Sequence, residues 1–137
     1  MGEVRTRVKL TNAGDEVLVR RGLLDKSEIR HYEASALVDT GSVSPVLPSF
    51  VVQQLGLAIV GKRNAVLGEA SVIIADVTES IGIDVDGRRV DLQALVTGDE
   101  VIIGQTVLEM IDMLPDCMNQ RLVPNPAHPD QPIIKLK

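Results

Sequence analysis

The sequence predicts a mostly-β domain with one or two short helices, and three observations carry that reading. Of its 137 residues 45% are hydrophobic, yet only Tyr32 and Phe50 are aromatic, so the core must be built from Val, Ile and Leu, a composition that favours sheets. Apolar and polar residues alternate with period two at several places along the chain. Turn residues punctuate it at short intervals, most clearly at Asp86-Gly87. The length suits one domain, residues 1–137, with its own core.

The elements follow in order. Val4, Thr6, Val8 and Leu10 alternate with Arg5, Arg7 and Lys9, the pattern of a half-buried strand. Residues 12–15, Asn-Ala-Gly-Asp, make a turn, and 16–20 resume as a second strand. Residues 22–26 form a loop. A strand over 29–38 ends in the apolar run Ala36-Leu37-Val38 and leads straight into Asp39. Pro48 and Gly56 bracket a short helix, with Pro near its start and Gly past its end. Strands follow at 71–77 and 81–85; Asp86-Gly87 turns the chain into a strand over 90–96. Gly98-Asp99 turns it again into Val101-Ile102-Ile103. A second helix spans 106–113, with Val107, Leu108 and Ile111 at helical spacing. The tail from Arg121 contains Pro124, Pro126, Pro129 and Pro132, which excludes a long helix or a central strand and leaves 133–136 as an edge strand.

Composition narrows the function classes. The net charge of −5 is modest and dispersed; with neither a basic patch nor aromatic stacking platforms, nucleic acid is not an expected partner. No apolar run approaches membrane-spanning length. The N-terminus has no basic region leading into an apolar stretch, and nothing supports a lipid anchor, so a cytoplasmic protein without membrane association is expected. The single cysteine, Cys117, allows neither an internal disulfide nor a thiolate cluster. His31 and His128 have no ligand partners at metal-binding spacing and read as surface residues. No metal and no cofactor are expected.

The chemistry concentrates in Leu37-Val38-Asp39-Thr40-Gly41-Ser42. A strand delivers the Asp39 carboxylate to the edge of the core, Gly41 permits a tight turn beside it, and the Thr40 hydroxyl is placed to point inward to neighbouring backbone. Asp-x-Gly after a strand is equally good turn chemistry. What adds to the motif is Val101-Ile102-Ile103-Gly104-Gln105-Thr106-Val107-Leu108, about sixty residues on, where two apolar residues and a Gly enter a helix containing Leu.

Together the two segments, in this order and at this separation, resemble the retropepsin-like family of aspartic proteases over residues 29–114. The resemblance implies a closed, β-barrel-like single lobe with a flap hairpin. It implies that Asp39 is the catalytic carboxylate and that Thr40 interlocks with its symmetry mate beneath two aspartates. Gly41 and Ser42 would complete the active-site loop, and Ile102, Ile103 and Gly104 would form the strand behind it. The flap falls at 59–77, its tip near Ala65, Val66, Leu67, Gly68, Glu69 and Ala70. Hydrolysis by carboxylates takes two of them sharing a proton, and this chain holds one Asp-Thr-Gly; Asp84-Val85-Asp86-Gly87 is not a second. The implied enzyme is a homodimeric aspartic endopeptidase acting on polypeptide.

The chain also departs from the viral pattern. Ser42 replaces the Ala that viral members carry, and a hydroxyl there is placed to donate to the carboxylate and favour its charged form. A charged pair that supports viral dimers is replaced by Val43 and Gln105. Pro45 and the helix from Pro48 bring the chain closer to single-domain bacterial members. Both termini are longer than in a minimal unit, so residues 122–129 would take part in the dimer differently. Two other readings stand beside the protease: a non-catalytic peptide-binding or dimerisation module that kept the fold, and a small β-barrel scaffold in which Asp-Thr-Gly is an ordinary turn.

Overall fold

The computed structural model describes residues 2–69 and 71–136. Strands make up 43% of the chain, and the principal sheet curls into a half-barrel. Eleven strands, three short α-helices and one 3-10 turn (Lys26–Glu28) are formed among the described residues: β1 (Val4–Asn12), α1 (Ala13–Arg20), β2 (His31–Val38), β3 (Val46–Leu47), α2 (Ser49–Leu55), β4 (Ile59–Leu67), β5 (Ser71–Thr78), β6 (Ile81–Val85), β7 (Arg88–Leu92), β8 (Leu95–Val96), β9 (Ile102–Ile103), α3 (Gln105–Ile111), β10 (Met113–Asp116) and β11 (Arg121–Pro124). Nine strands form one sheet in the order β4-β5-β8-β3-β9-β2-β1-β6-β7, while β10 and β11 pair separately. No helix among the described residues is long and apolar enough to cross a membrane.

The core is aliphatic: Leu10, Leu47, Leu55, Ile81, Ile83 and Ile103 are fully buried at its centre. Helix α2 packs through Val51, Val52 and Leu55, and α3 through Val107, Leu108 and Ile111. The two aromatic rings meet edge to face, Tyr32 against Phe50 at 6.4 Å.

Residues 16–20 are helical and not a second strand. Asn12 caps α1 by accepting from the Asp15 amide at 3.0 Å, Asp15 and Glu16 lie in the first turn and Arg20 in the last, each favoured by the helix dipole. Asp15 is buried and bound twice by the Arg30 guanidinium, at 2.9 and 2.8 Å. That guanidinium holds its carboxyl below the ordinary carboxylate range.

The predicted strand over 90–96 is two strands, β7 and β8, because Ala94 leaves the ladder to donate to the Thr78 hydroxyl at 3.0 Å. Helix α3 stops at Ile111, with Asp112 in the left-handed region at φ 57° as its C-cap.

The tail differs most from expectation. Residues 133–136 are in no strand; the tail's strand is β11, which pairs with β10 of its own chain, Pro115 facing Leu122. Beyond it the tail is held by two anchors. Arg88, buried, donates to the carbonyls of Ile111 (3.0 Å), Asp112 (2.9 Å), His128 (2.9 Å) and Pro129 (3.3 Å). The Asp112 carboxylate accepts from Asn125 Nδ2 at 2.9 Å and the Ile133 amide at 3.1 Å, and lies 2.6 Å from His128 Nδ1. His128 is therefore half-buried in a structural anchor, not a free surface residue, whereas His31 is exposed.

Candidate active site

The site is built where β2 ends. Its last residues run parallel to β9, Leu37 beside Ile102 and Val38 beside Ile103. The Leu37 amide donates to the Val101 carbonyl at 2.9 Å and the Asp39 amide to the Ile103 carbonyl at 3.0 Å, so the ladder carries the chain to Asp39 in fixed register. The chain then folds back on itself: the Ser42 amide donates to the Asp39 carbonyl at 3.1 Å, and the Gly41 amide to Asp39 Oδ1 at 2.9 Å. The second contact orients the carboxylate.

Gly104 closes the loop from behind. The Gln105 amide donates to the Ser42 carbonyl at 2.7 Å and the Thr106 amide to the Val43 carbonyl at 3.4 Å. The first turn of α3 thus grips the backbone of the Asp39 loop, and this needs a residue without a side chain. A Cβ on Gly104 would lie 2.8 Å from the Ser42 carbonyl carbon and 3.0 Å from the Ser44 carbonyl oxygen, with the Ser42 oxygen nearer still.

Two expectations about this loop are corrected. The Ser42 hydroxyl donates to the Ser44 carbonyl at 2.8 Å and not to Asp39, because the backward fold places that carbonyl within its reach. Thr40 does not turn inward: it is exposed, and among the described residues its hydroxyl bonds to none. Asp39 and Gly41 are exposed beside it, as is Val43 at 73%.

Asp39, Gly41 and Ser42 form the floor of a cleft of about 670 Å³. Its roof is the β4–β5 hairpin, paired from Ile59 opposite Thr78 to Leu67 opposite Ser71. Gly68, at φ 68°, makes the turn at the tip. Val66, Leu67 and Gly68 line the cleft; Glu69 lies in the exposed turn, and Ala70 is outside the described residues. Ile102 lines the cleft while Ile103 and Gly104 are buried behind the floor. The far wall is Leu95 and Thr97 to Glu100, with Glu100 held by Arg5 at 2.8 Å. Asp84 and Asp86 belong to the β6–β7 turn, where Asp84 Oδ1 accepts from the Gly87 amide at 3.0 Å.

Sequence reading missed the far wall and Arg63, which lines the roof. The wall carries no motif. Arg63, however, has a period-two signal: it shares a face with Ala65 and Leu67 two and four residues on.

By sequence, the chain matches no protein-family model and no curated protein. By structure, it is similar to EIAV protease complexed with the inhibitor HBY-793, with a TM-score of 0.52 at 18% identity over 78% of this chain and 86% of that one. It is similar also to the retroviral protease-like domain of Ddi1 from Leishmania major, with a TM-score of 0.52 at 13% identity over 90% of each chain. The fold is retropepsin-like. Within this retropepsin-like frame, floor, roof and wall come from separate stretches of chain that only the curled sheet brings together. At such identities the likeness is one of fold, and function has to be argued from the site.

Proposed function

We propose that the protein is a homodimeric aspartic endopeptidase, each protomer a single domain of residues 1–137 contributing one Asp39. The observation that carries this reading is the solitary Asp39, oriented by the Gly41 amide at 2.9 Å on the floor of a hairpin-roofed cleft, in a retropepsin-like fold. Thr40, Gly41 and Val43 are exposed around it, which leaves the rim of the site free to meet a second copy across a two-fold axis.

Two carboxylates on such an axis share one proton, since like charges at that range do not both ionise. The charged Asp39 takes a proton from a water molecule as its oxygen attacks the scissile carbonyl carbon. The protonated Asp39 of the other copy donates to the carbonyl oxygen, giving a neutral tetrahedral gem-diol. Collapse breaks the C–N bond as the nitrogen takes a proton from the carboxyl that had accepted one from water. The other, now charged, carboxylate takes a proton from a gem-diol hydroxyl, so the carboxylic acid and amine leave and the dyad is restored. This is the general dyad chemistry of aspartic proteases. The substrate lies extended between floor and hairpin, held through backbone hydrogen bonds, and the hairpin acts as a lid through Val66, Leu67, Gly68 and Glu69. Ile102, Ile103 and Gly104 are positioning residues behind the floor. The reaction uses no cofactor, its substrate is polypeptide, and the compartment in this proposal is the cytoplasm.

The test is cleavage of an unfolded protein from about pH 4 to about pH 7, alongside Asp39→Asn and a statine-type inhibitor, with the dimer verified by sedimentation. Cleavage that is lost in the variant and blocked by the inhibitor is expected. A verified dimer that cleaves nothing across the range would overturn the proposal in favour of a peptide-binding module. A strictly monomeric protein at micromolar concentration would count against both.

A further inference from the structure

Several basic residues are engaged, while Arg7, Lys9, Arg20, Arg21, Lys26 and Lys135 form no ion pair among the described residues. Arg5 binds Glu100, Arg30 binds Asp15, Arg89 binds Glu16 and Asp91, Lys62 binds Asp76, and Arg88 is spent on backbone carbonyls. Arg63 is set apart by its place: among the described residues it is the basic side chain that lines the cleft under the hairpin, where it is exposed and has no carboxylate within ion-pair distance.

Its place follows from the register. Arg63 pairs with the buried Ala75 and Ala65 with Ile73, and Arg63, Ala65 and Ile73 line the cleft, whereas Lys62 and its partner Asp76 do not. Among the described residues, Arg63 is therefore the one cation on a mainly apolar face that it shares with Ala65, Leu67, Ser71, Ile73 and Ala75. A charge beside an apolar surface in a cleft acts through a lower effective dielectric once a bound peptide displaces the water there. A guanidinium there offers a fork of donors that matches a carboxylate. None of the cleft's acids, Asp39, Asp99 and Glu100, lies within ion-pair distance of Arg63, and Glu100 is held by Arg5 at 2.8 Å.

We propose that Arg63 is a specificity-determining residue that selects an Asp or Glu side chain of the bound peptide beneath the hairpin. The assignment rests on the cleft being the peptide site, as argued above. It carries a geometric corollary: in a two-fold dimer each hairpin presents its own Arg63, so the acidic preference falls at two positions placed symmetrically about the cut bond.

The test separates binding from chemistry. Three extended peptides with the same aliphatic centre, differing only in Glu, Gln or Lys at the flanking positions, are titrated against Asp39→Asn protein by fluorescence anisotropy. They are then titrated against the double variants carrying Arg63→Glu or Arg63→Lys. The expected order is Glu over Gln over Lys, with about fivefold between Glu and Gln, the upper range for a partly exposed ion pair. The preference weakens at high salt. Arg63→Glu inverts the order and Arg63→Lys preserves its sign, neither of which a merely structural role would produce. Arg63 makes no ion pair whose loss would unfold the chain, and a thermal melt checks this. The same rank order in all three proteins, or equal binding of the three peptides, overturns the Arg63 assignment and leaves the protease reading standing. The charge order intact, in a protein whose wild type cleaves nothing, overturns the protease reading and leaves Arg63 standing. No binding of any peptide overturns both.

Discussion

Gly104→Ala places a methyl group where the structure has no room for one. The new Cβ meets backbone rather than a side chain that can swing away: the Ser42 carbonyl carbon at 2.8 Å, the Ser44 oxygen at 3.0 Å and the Ser42 oxygen closer than either. Gly104 has φ −104°, a conformation any residue adopts, so the penalty comes wholly from contact. Relief requires the 42–44 segment to retreat by about 1 Å, the order of shift that overpacking forces on a core at 1–3 kcal/mol. The retreat also stretches the 2.7 Å hydrogen bond from the Gln105 amide to Ser42, worth about 1 kcal/mol. The sum is a loss of about 3 kcal/mol in urea unfolding. Asp39 is tied to the moving segment through the Ser42 amide, and a displacement of about 1 Å at a reacting group costs about 100-fold in rate. Peptidase kcat/KM on one fluorogenic substrate and the urea midpoint are measured together. Gly61→Ala, where a Cβ meets nothing within 4 Å, is the control and should change stability by less than about 0.5 kcal/mol. Gly104→Ala that unfolds with its wild-type midpoint would refute the reasoning, because the Asp39 loop would then not be wedged by this contact.

Other predictions concern acid and the tail. Asp15, bound by Arg30, and Glu16, bound by Arg89, are both held below their ordinary pKa values. Such groups bind protons more weakly folded than unfolded, so their stabilisation is complete above about pH 4–4.5 and drains as pH falls below it. The melting temperature should therefore be flat near neutrality and fall in acid, with a shallower fall in Asp15→Asn; an identical acid slope in that variant would sink the assignment. Arg88→Met removes the four donations that tie α3 to the tail; a loss of about 3 kcal/mol and faster proteolytic trimming beyond Pro124 are expected. Unchanged trimming would show that Asp112 alone holds the tail.

How much of the fold was legible depended on where the deciding interactions lay. Strand β6, the β6–β7 turn and helix α2 are specified by their own residues, and 81–85, Asp86-Gly87 and the Pro48 to Gly56 bracket lie where the pattern puts them. Residues 16–20 misled because the run Val17-Leu18-Val19 is short and apolar, with β-branched residues at 17 and 19. The structure decides for helix through Asn12, whose side chain caps α1 and also donates to the Leu55 carbonyl at 2.8 Å, a partner 43 residues away that no local window contains. The tail misled for the opposite reason. Proline argues against central strands, but in a two-stranded sheet every strand is an edge, so Pro115 and Pro124 are both tolerated. Meanwhile 133–136 stay out of any strand, with the Ile133 amide going to the Asp112 carboxylate instead.

The site divides along the same line. The approach to Asp39 was readable because a strand, a turn and a glycine each have a local signature. The Ser42 contact was not, because a hydroxyl between a carboxylate and a carbonyl is decided by tenths of an ångström in the backbone. Arg63 needed both levels at once: period two assigns its face, but only the β4–β5 register against a buried Ala75 shows which face is inward. The two residues also set different demands on symmetry. Asp39 needs its mate for chemistry, since one carboxylate cannot both take and give the protons. Arg63 needs none, because a single guanidinium already selects charge. A protein forced to remain monomeric should therefore lose cleavage completely while the half-cleft keeps its Glu-over-Lys order at reduced affinity, a dissociation between catalysis and selection that a peptide titration on such a variant can read directly.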